Sequence, residues 1–263
     1  MEAREKRLTE ATREMSDSLL GRRTPLPRKQ DRPQAPEIKW AAERGDVESL
    51  AEFACQAGAE VAERRGVNAR TEACVIAAED IVLDERVRWK CIIPLCFGYG
   101  SSPNCPPYSP TTEQMRVIVS RYEYGVFLRY MPPVESHVYP QFVTESAARV
   151  NELNEIVGMV EAEAGYRGFH LAMGFKGGPC CLCGLFSAKH SADWFQGKNV
   201  PRCPVLEGNT CHHYLQPRPA LEACGVDVFA TAKKAGWTTY LVLPEYPAQS
   251  IPCVSWYGLV LVI

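Results

Sequence analysis

Residues 109–131 read Ser-Pro-Thr-Thr-Glu-Gln-Met-Arg-Val-Ile-Val-Ser-Arg-Tyr-Glu-Tyr-Gly-Val-Phe-Leu-Arg-Tyr-Met, and within them the hydrophobic pattern changes from that of a helix to that of a strand. Met115, Ile118, Val119 and Tyr122 fall three and four positions apart, the spacing of one helical face. Ser109 is a suitable N-cap and Pro110 a suitable first helical residue, so a helix is expected to run to near Gly125. Val126 to Met131 is a short apolar run rich in β-branched and aromatic residues, which predicts a strand.

Working outward, the same two periods alternate. Downstream, Thr144 is placed to cap a helix whose apolar residues Val150, Leu153, Ile156, Val157 and Val160 keep helical spacing until Gly165. Strands are expected at Phe169–Phe175, Thr238–Leu243 and Trp256–Ile263, and a short helix at Val226–Ala235 stopped by Gly236. Upstream, Leu50, Phe53, Ala54, Ala57 and Val61 give a helix period between Trp40 and Arg65. Ala73 to Leu83, with the basic run to Trp89, reads as extended structure. The element order predicts an α/β or α+β fold, a mixed sheet flanked by helices, with cysteine-rich metal-binding loops at one end. There is no internal repeat.

Residues 1–37 mix Arg, Lys and Glu with Pro25, Pro27, Pro33 and Pro36 and hold too little apolar surface to offset the entropy of ordering. They are expected to form a flexible N-terminal arm, with a helical tendency near Leu8 to Leu20. Residues 38–263 then make one metal-binding domain, with cysteine loops at 91–108 and 177–217. The acidic residues Glu2, Glu5, Glu10, Glu14 and Asp17 oppose an organelle transit peptide. No apolar run long enough for a membrane span or a secretory h-region occurs, so a cytoplasmic protein is expected. A net charge of -2 over 263 residues gives no basic excess for nucleic acid.

Twelve cysteines in such a chain point to metal rather than disulfides, because cytoplasmic thiol pools keep structural cysteines reduced. Cys55, Cys74 and Cys253 stand alone among apolar or small residues and read as buried thiols. The others form two sets. The first is Cys91-Ile-Ile-Pro-Leu-Cys96, followed after eight residues by Cys105-Pro106-Pro107. Pro94, Pro103, Pro106 and Pro107 exclude regular structure there, and Gly98 and Gly100 let the backbone fold closely round a bulky group. Three cysteines leave one position for a distant cysteine, another ligand or a substrate.

The second set is Gly177-Gly178-Pro179-Cys180-Cys181-Leu182-Cys183, then Cys203-Pro204 and Cys211-His212-His213. A C-x₂-C pair with two further cysteines supplies the four thiolates of a complete site. Structural zinc shares this pattern, but a zinc ribbon offers two such knuckles and this chain offers one, beside the cysteine–proline pairs Cys105-Pro106 and Cys203-Pro204. That favours iron–sulfur, one or two [4Fe-4S] clusters, over Zn. Spacing does not decide between Cys180 and Cys181, although Cys180 gives the better interval. Cys224 is a candidate to complete the first set, or a buried thiol at a helix junction. His212 and His213 are candidate ligands or hydrogen-bonding neighbours. Tyr99, Tyr108 and Arg218 are candidate lining residues, and His170 reads as a satisfied core residue in a strand. No phosphate loop, dinucleotide fingerprint, G-x-S-x-G elbow or H-E-x-x-H helix is present.

Two stretches carry a resemblance. Arg86-Val87-Arg88-Trp89-Lys90-Cys91 through Cys105-Pro106-Pro107, and Gly178-Pro179-Cys180 through Arg218-Pro219-Ala220-Leu221-Glu222-Ala223-Cys224-Gly225-Val226-Asp227-Val228, resemble a family of predicted metal-binding proteins, domain of unknown function 2284, found mainly in anaerobic bacteria and archaea. The likeness covers roughly residues 75–243, with Cys-Pro-Pro and Glu-Ala-Cys-Gly-x-Asp-Val as its most specific signatures. It implies metal binding, with iron–sulfur the expected form, and names no reaction. The doubled Cys180-Cys181 and His212-His213 and the long arm depart from the family pattern.

Three functions compete. A four-thiolate second set suits electron transfer, with an oxidoreductase role and a redox partner protein. An incomplete first set suits an enzyme whose open iron acts as a Lewis acid on a small-molecule substrate, in elimination or sulfur removal. A zinc-stabilised interaction module is the third, with the arm as its docking segment.

Overall fold

A computed structural model describes residues 37–184 and 203–263. The N-terminal arm, its helical tendency, and residues 185–202 of the second cysteine loop lie outside the described residues. In chain order the elements are α1 (Arg44–Arg65), β1 (Arg70–Ala77), α2 (Glu85–Ile92), α3 (Thr112–Val119), β2 (Tyr124–Met131), α4 (Phe142–Tyr166), β3 (Met173–Lys176), α5 (Val228–Lys234) and β4 (Trp256–Val262). The strands form a sheet of order β1-β2-β4-β3. Every strand pairing is antiparallel, with Val126 opposite Val75 and Val260, and Phe175 opposite Leu259. The class is therefore α+β, and the sheet is antiparallel rather than mixed. Among the described residues no helix is long and apolar enough to cross a membrane.

Both faces of this sheet are covered, which is why β2 and β4 are nearly continuous apolar runs. Val126, Leu128, Tyr130 and Val260 face α1 and α4, where Leu50, Ala54, Val61, Leu153 and Val157 meet them. Phe127, Leu259 and Leu261 point the other way, to Met115 of α3, Ala232 of α5 and the segment holding Leu221 and Val226. Each of the larger apolar side chains contributes roughly 1.5–3 kcal/mol by leaving water. Gly258 sets the spacing on the first face. A Cβ there would lie 2.5 Å from Val157 Cγ2 and 3.1 Å from Leu128 Cδ1, so only glycine lets α4 lie directly on the sheet.

Five local expectations are corrected. The helix after the first cysteine loop is capped by Thr111, not Ser109: Thr111 Oγ1 accepts from Gln114 N (3.2 Å) and Gln114 Oε1 accepts from Thr111 N (2.8 Å), a reciprocal capping box. The basic run before Cys91 is the helix α2, not extended chain. Asp84 caps it by accepting from Arg86 N at 2.8 Å. Residues 238–243 form no strand; both sides of β4 are already taken by β2 and β3, and β propensity alone cannot replace a partner. The strand expected at 169–175 is Met173–Lys176. His170 lies before it, exposed, edge-on to Trp40 at 5.3 Å, and is not a core residue.

One buried contact makes the fold acid-sensitive. In the turn Val134–His137, His137 Nε2 accepts from the Trp256 indole N–H. That leaves the ring proton on Nδ1 to donate to Ser136 Oγ (2.8 Å), whose own hydroxyl donates to Pro133 O (2.6 Å). Burial pulls the imidazole down to about 4 from its ordinary 6.5. A depressed folded-state value means the stabilisation is complete above about pH 6.5 and is lost as pH falls towards about 4, on the order of 3 kcal/mol. Thermal midpoints measured from pH 8 down to pH 4 should fall steeply below pH 6.5 in the wild type. The slope should be shallower in His137→Gln, which keeps an acceptor; equal slopes would remove His137 as the cause.

Candidate metal centre

The first cysteine loop leaves α2 at Ile92. Cys91 therefore sits in the last turn of a helix and not on a loop, three positions after Arg88, and both are buried. Beyond it the chain folds through successive turns, with Cys96 N donating to Cys91 O (3.0 Å), Tyr99 N to Cys96 O (2.9 Å) and Cys105 N to Ser102 O (3.2 Å). Leu95 takes a φ of 93°, a left-handed conformation that costs a leucine of order 1–3 kcal/mol and clusters at functional loops. A Cβ at Gly98 would lie 3.3 Å from Cys105 Sγ and 3.7 Å from Cys96 Sγ. Glycine there keeps the backbone close to both sulfurs, since a Cβ would press on Cys105 Sγ.

Cys224 lies beside Cys91. It ends the short turn Glu222–Cys224, is fully buried, and packs where α2 meets that turn. Ser109 fastens the turn by donating from Oγ to Ala223 O at 3.1 Å. Burial pushes the Cys91, Cys105 and Cys224 thiols up to about 12, and the Glu222 carboxylate adds to each shift. Charge on Cys96 or Cys91 also raises Cys105, and charge on Cys91 raises Cys224. Such mutual opposition requires proximity. In the opposite sense, the Arg88 guanidinium favours thiolate at Cys91 and Cys224.

The second loop begins where β3 ends. Lys176 N donates to Pro219 O (3.0 Å), Leu221 N to Lys176 O (2.9 Å) and Gly177 N to Tyr257 O (2.7 Å), which fixes the chain just before Cys180. Burial raises Cys180 first; charges on Cys203 and Cys211 add to it, and the same two oppose charge on Cys183. Cys181 behaves differently. It is pushed up to about 12 by burial, and Cys180 is the one cysteine whose charge it opposes. It packs in an apolar patch with Val150 and Cys203. Charge coupling relates Cys180 to Cys183, Cys203 and Cys211, while side-chain packing places Cys181 with Cys203 and Cys183, so both adjacent thiols lie at this set.

Backbone N–H groups two residues ahead point at three of these sulfurs. Gly98 N reaches Cys96 Sγ and His213 N reaches Cys211 Sγ, each at 3.4 Å, while the Leu182 backbone N–H lowers Cys180. Such donors stabilise charged sulfur and tune bound metal. The two loops also dock on each other: Cys203 N donates to Ser101 O and Ala220 N to Asn104 O, both at 3.0 Å. Glu222 links them again, its Oε1 accepting from Gly178 N at 2.7 Å. Among the described residues, no three His, Cys, Asp or Glu side chains converge on one ion-sized point, so the thiols are gathered without being closed on a centre. The donor set of buried sulfurs, N–H groups aimed at sulfur and two buried cations, Arg88 and Lys176, fits a thiophilic metal group.

Several expected residues stand elsewhere. His212 is exposed, and His213 offers its backbone rather than its ring. Tyr108 is 53% exposed. Arg218 staples the loop to α4 through Glu161 (2.8 Å) and donates to the carbonyls of Leu215 and Pro217. Tyr99 remains beside Cys96 through the turn they share. Cys55, Cys74 and Cys253 are half-buried rather than buried and belong to neither set. The sequence reading missed Lys176, which has no motif, and Glu222 and Arg88, which had appeared only as parts of signatures.

No curated protein and no solved structure matches the chain. A family model described as "Predicted metal-binding protein (DUF2284)" matches residues 74–262, extending the likeness through β4 and taking in both cysteine sets. The chain belongs to the DUF2284 family of predicted metal-binding proteins.

Proposed function

We propose that this protein is an iron–sulfur electron carrier. One [4Fe-4S] cluster would be held by Cys180, Cys183, Cys203 and Cys211, and a second by Cys91, Cys96 and Cys105 with Cys224. The observation that supports this reading is the charge coupling of the thiols in two groups, five of the eight buried and three half-buried, with a buried cation beside each group and N–H donors to sulfur. When bound, such clusters accept and release single electrons, at potentials set by burial, hydrogen bonds to sulfur and local charge. The protein's own part is to exclude water, supply the N–H donors and hold Arg88 and Lys176 against the sulfurs. The electrons would pass to a redox partner protein in the cytoplasm.

The deciding measurement is iron, acid-labile sulfide and zinc content after anaerobic purification. Iron and sulfide in equal amounts, about four or eight of each per chain, are expected. Zinc without sulfide would leave the interaction-module reading in place and end this one.

A cavity of about 490 Å³ favours a second reading. Lys90, Gly178, Glu222, Asp227, Phe229 and Trp256 line it, which brings it against Glu222 and so to the edge of the first set. That volume suits a small organic molecule. In this reading the first centre serves a small-molecule substrate, as an open-iron Lewis acid for elimination or sulfur removal if Cys224 stays free.

A further inference from the structure

Lys176 is buried to 1% exposure, where a lysine is almost never found without a paired charge. Its Nζ donates to the carbonyls of Pro179 (2.5 Å), Gly178 (2.7 Å) and Gly177 (3.4 Å). Those bonds satisfy its hydrogens, but burial disfavours its charged form and pulls its pKa down, so the ammonium needs a counter-charge to persist here. Among the described residues no carboxylate forms an ion pair with it; Glu222, whose charge it feels, is engaged with Gly178 N. The other groups it faces are sulfurs, Cys180 and Cys181 (the latter not a proposed ligand) on one loop and Cys105 on the other, which carry charge only as thiolates. The loops meet at this place, since a Cβ on Gly98 would stand 3.2 Å from Pro179 Cβ.

Protonated thiols offer this ammonium no counter-charge, whereas metal-bound thiolates do. We infer that Lys176 is the shared counter-cation of two metal–thiolate centres, held between the cysteine loops by the carbonyls of residues 177–179. This rests on the reading that both sets bind metal. Arg88 differs in reach: it faces Cys91 and Cys224 only. A cation beside an anionic centre favours its more negative, reduced form and strengthens metal binding by thiolates.

The test uses the full chain with Lys176→Gln, which keeps a donor, and Lys176→Arg, which keeps the charge. Zn²⁺ affinity of the reduced, metal-free protein is read by chelator competition, and midpoint potentials are read on the anaerobically isolated protein. Lys176→Gln is expected to weaken Zn²⁺ binding at both sets by at least ~10-fold and to lower both potentials by at least ~60 mV, the one-electron equivalent of tenfold. Lys176→Arg should stay close to wild type, and Arg88→Gln should disturb the first set alone. Equal losses in the Gln and Arg variants would mean that packing, not charge, is at stake, and would overturn the inference, as would no loss in either. Should neither variant fold, the Lys176 ammonium resonance of ¹⁵N-lysine-labelled wild type must move on Zn²⁺ loading of each set; a resonance blind to one set overturns sharing. Iron and sulfide content of the wild type reports separately on the cluster reading, because the Zn²⁺ arm works whichever metal is native.

Discussion

Replacing Cys180 with serine is expected to abolish metal binding at the second set, while replacing its neighbour Cys181 leaves it intact. Cys180 is the member of the pair whose charge is coupled to Cys183, Cys203 and Cys211, and it carries the backbone N–H that favours charged sulfur. Cys181 packs with Val150 and Leu206 as well as with Cys203 and Cys183, and its Sγ is held 3.6 Å from Pro179 O. Outer-shell partners of a metal site already contribute 10–100-fold each to affinity, so loss of a ligand should cost at least about 100-fold. Cys181→Ser instead places a hydroxyl in an apolar patch and should cost about 1–3 kcal/mol of stability with metal content unchanged. Metal content and thermal melting of the two variants separate these effects. Retention of metal by Cys180→Ser together with its loss from Cys181→Ser would reverse the assignment.

That distinction shows where sequence stops being legible. Period-3.6 and apolar runs located α1, α4, β2 and β4, because these elements bury whole faces and their pattern is local. Spacing divided the cysteines into two candidate sets, since thiols contributed by one loop lie close in sequence. Which of two adjacent thiols would bind metal depends on how the chain enters the loop, and Lys176 just before it is pinned by Pro219 and Leu221 from a distant segment. No local signal reports that. The same limit left Cys224 open between the first set and a buried thiol, because Cys91 and Cys224 are far apart in the chain and meet where α2 packs on the turn Glu222–Cys224. By contrast, α2 itself was readable: Asp84 followed by Glu85 is an N-cap with an acidic first turn, outweighed by the prolines that follow. Residues 238–243 show the converse error, since strong strand formers stayed irregular although β1 and β3 stand at the edges of the sheet, and β propensity alone did not bring them there.

Cys224→Ala should remove the first centre while leaving the second, so that iron and sulfide fall to about half those of the wild type. The expectation follows from placement: Cys224 is wholly buried, opposes charge on Cys91 and shares Arg88 with it. The fold itself should survive. Trading a buried sulfhydryl for a methyl opens a small void, and the cost should be about 1–2 kcal/mol. The competing outcome is equally definite. If Cys224 is only a core thiol, the variant keeps full iron and sulfide, the first centre has three cysteine ligands, and one iron is open beside Glu222 and the cavity it lines. In that case a carboxylate or thiol ligand supplied in solution should change the reduced-state electron spin resonance signal of the wild type, and the open-iron enzyme would displace the electron carrier. The outcome hangs on one sulfur, because a fourth thiolate closes the iron to substrate and restricts the centre to outer-sphere electron transfer, whereas its absence admits Lewis-acid chemistry.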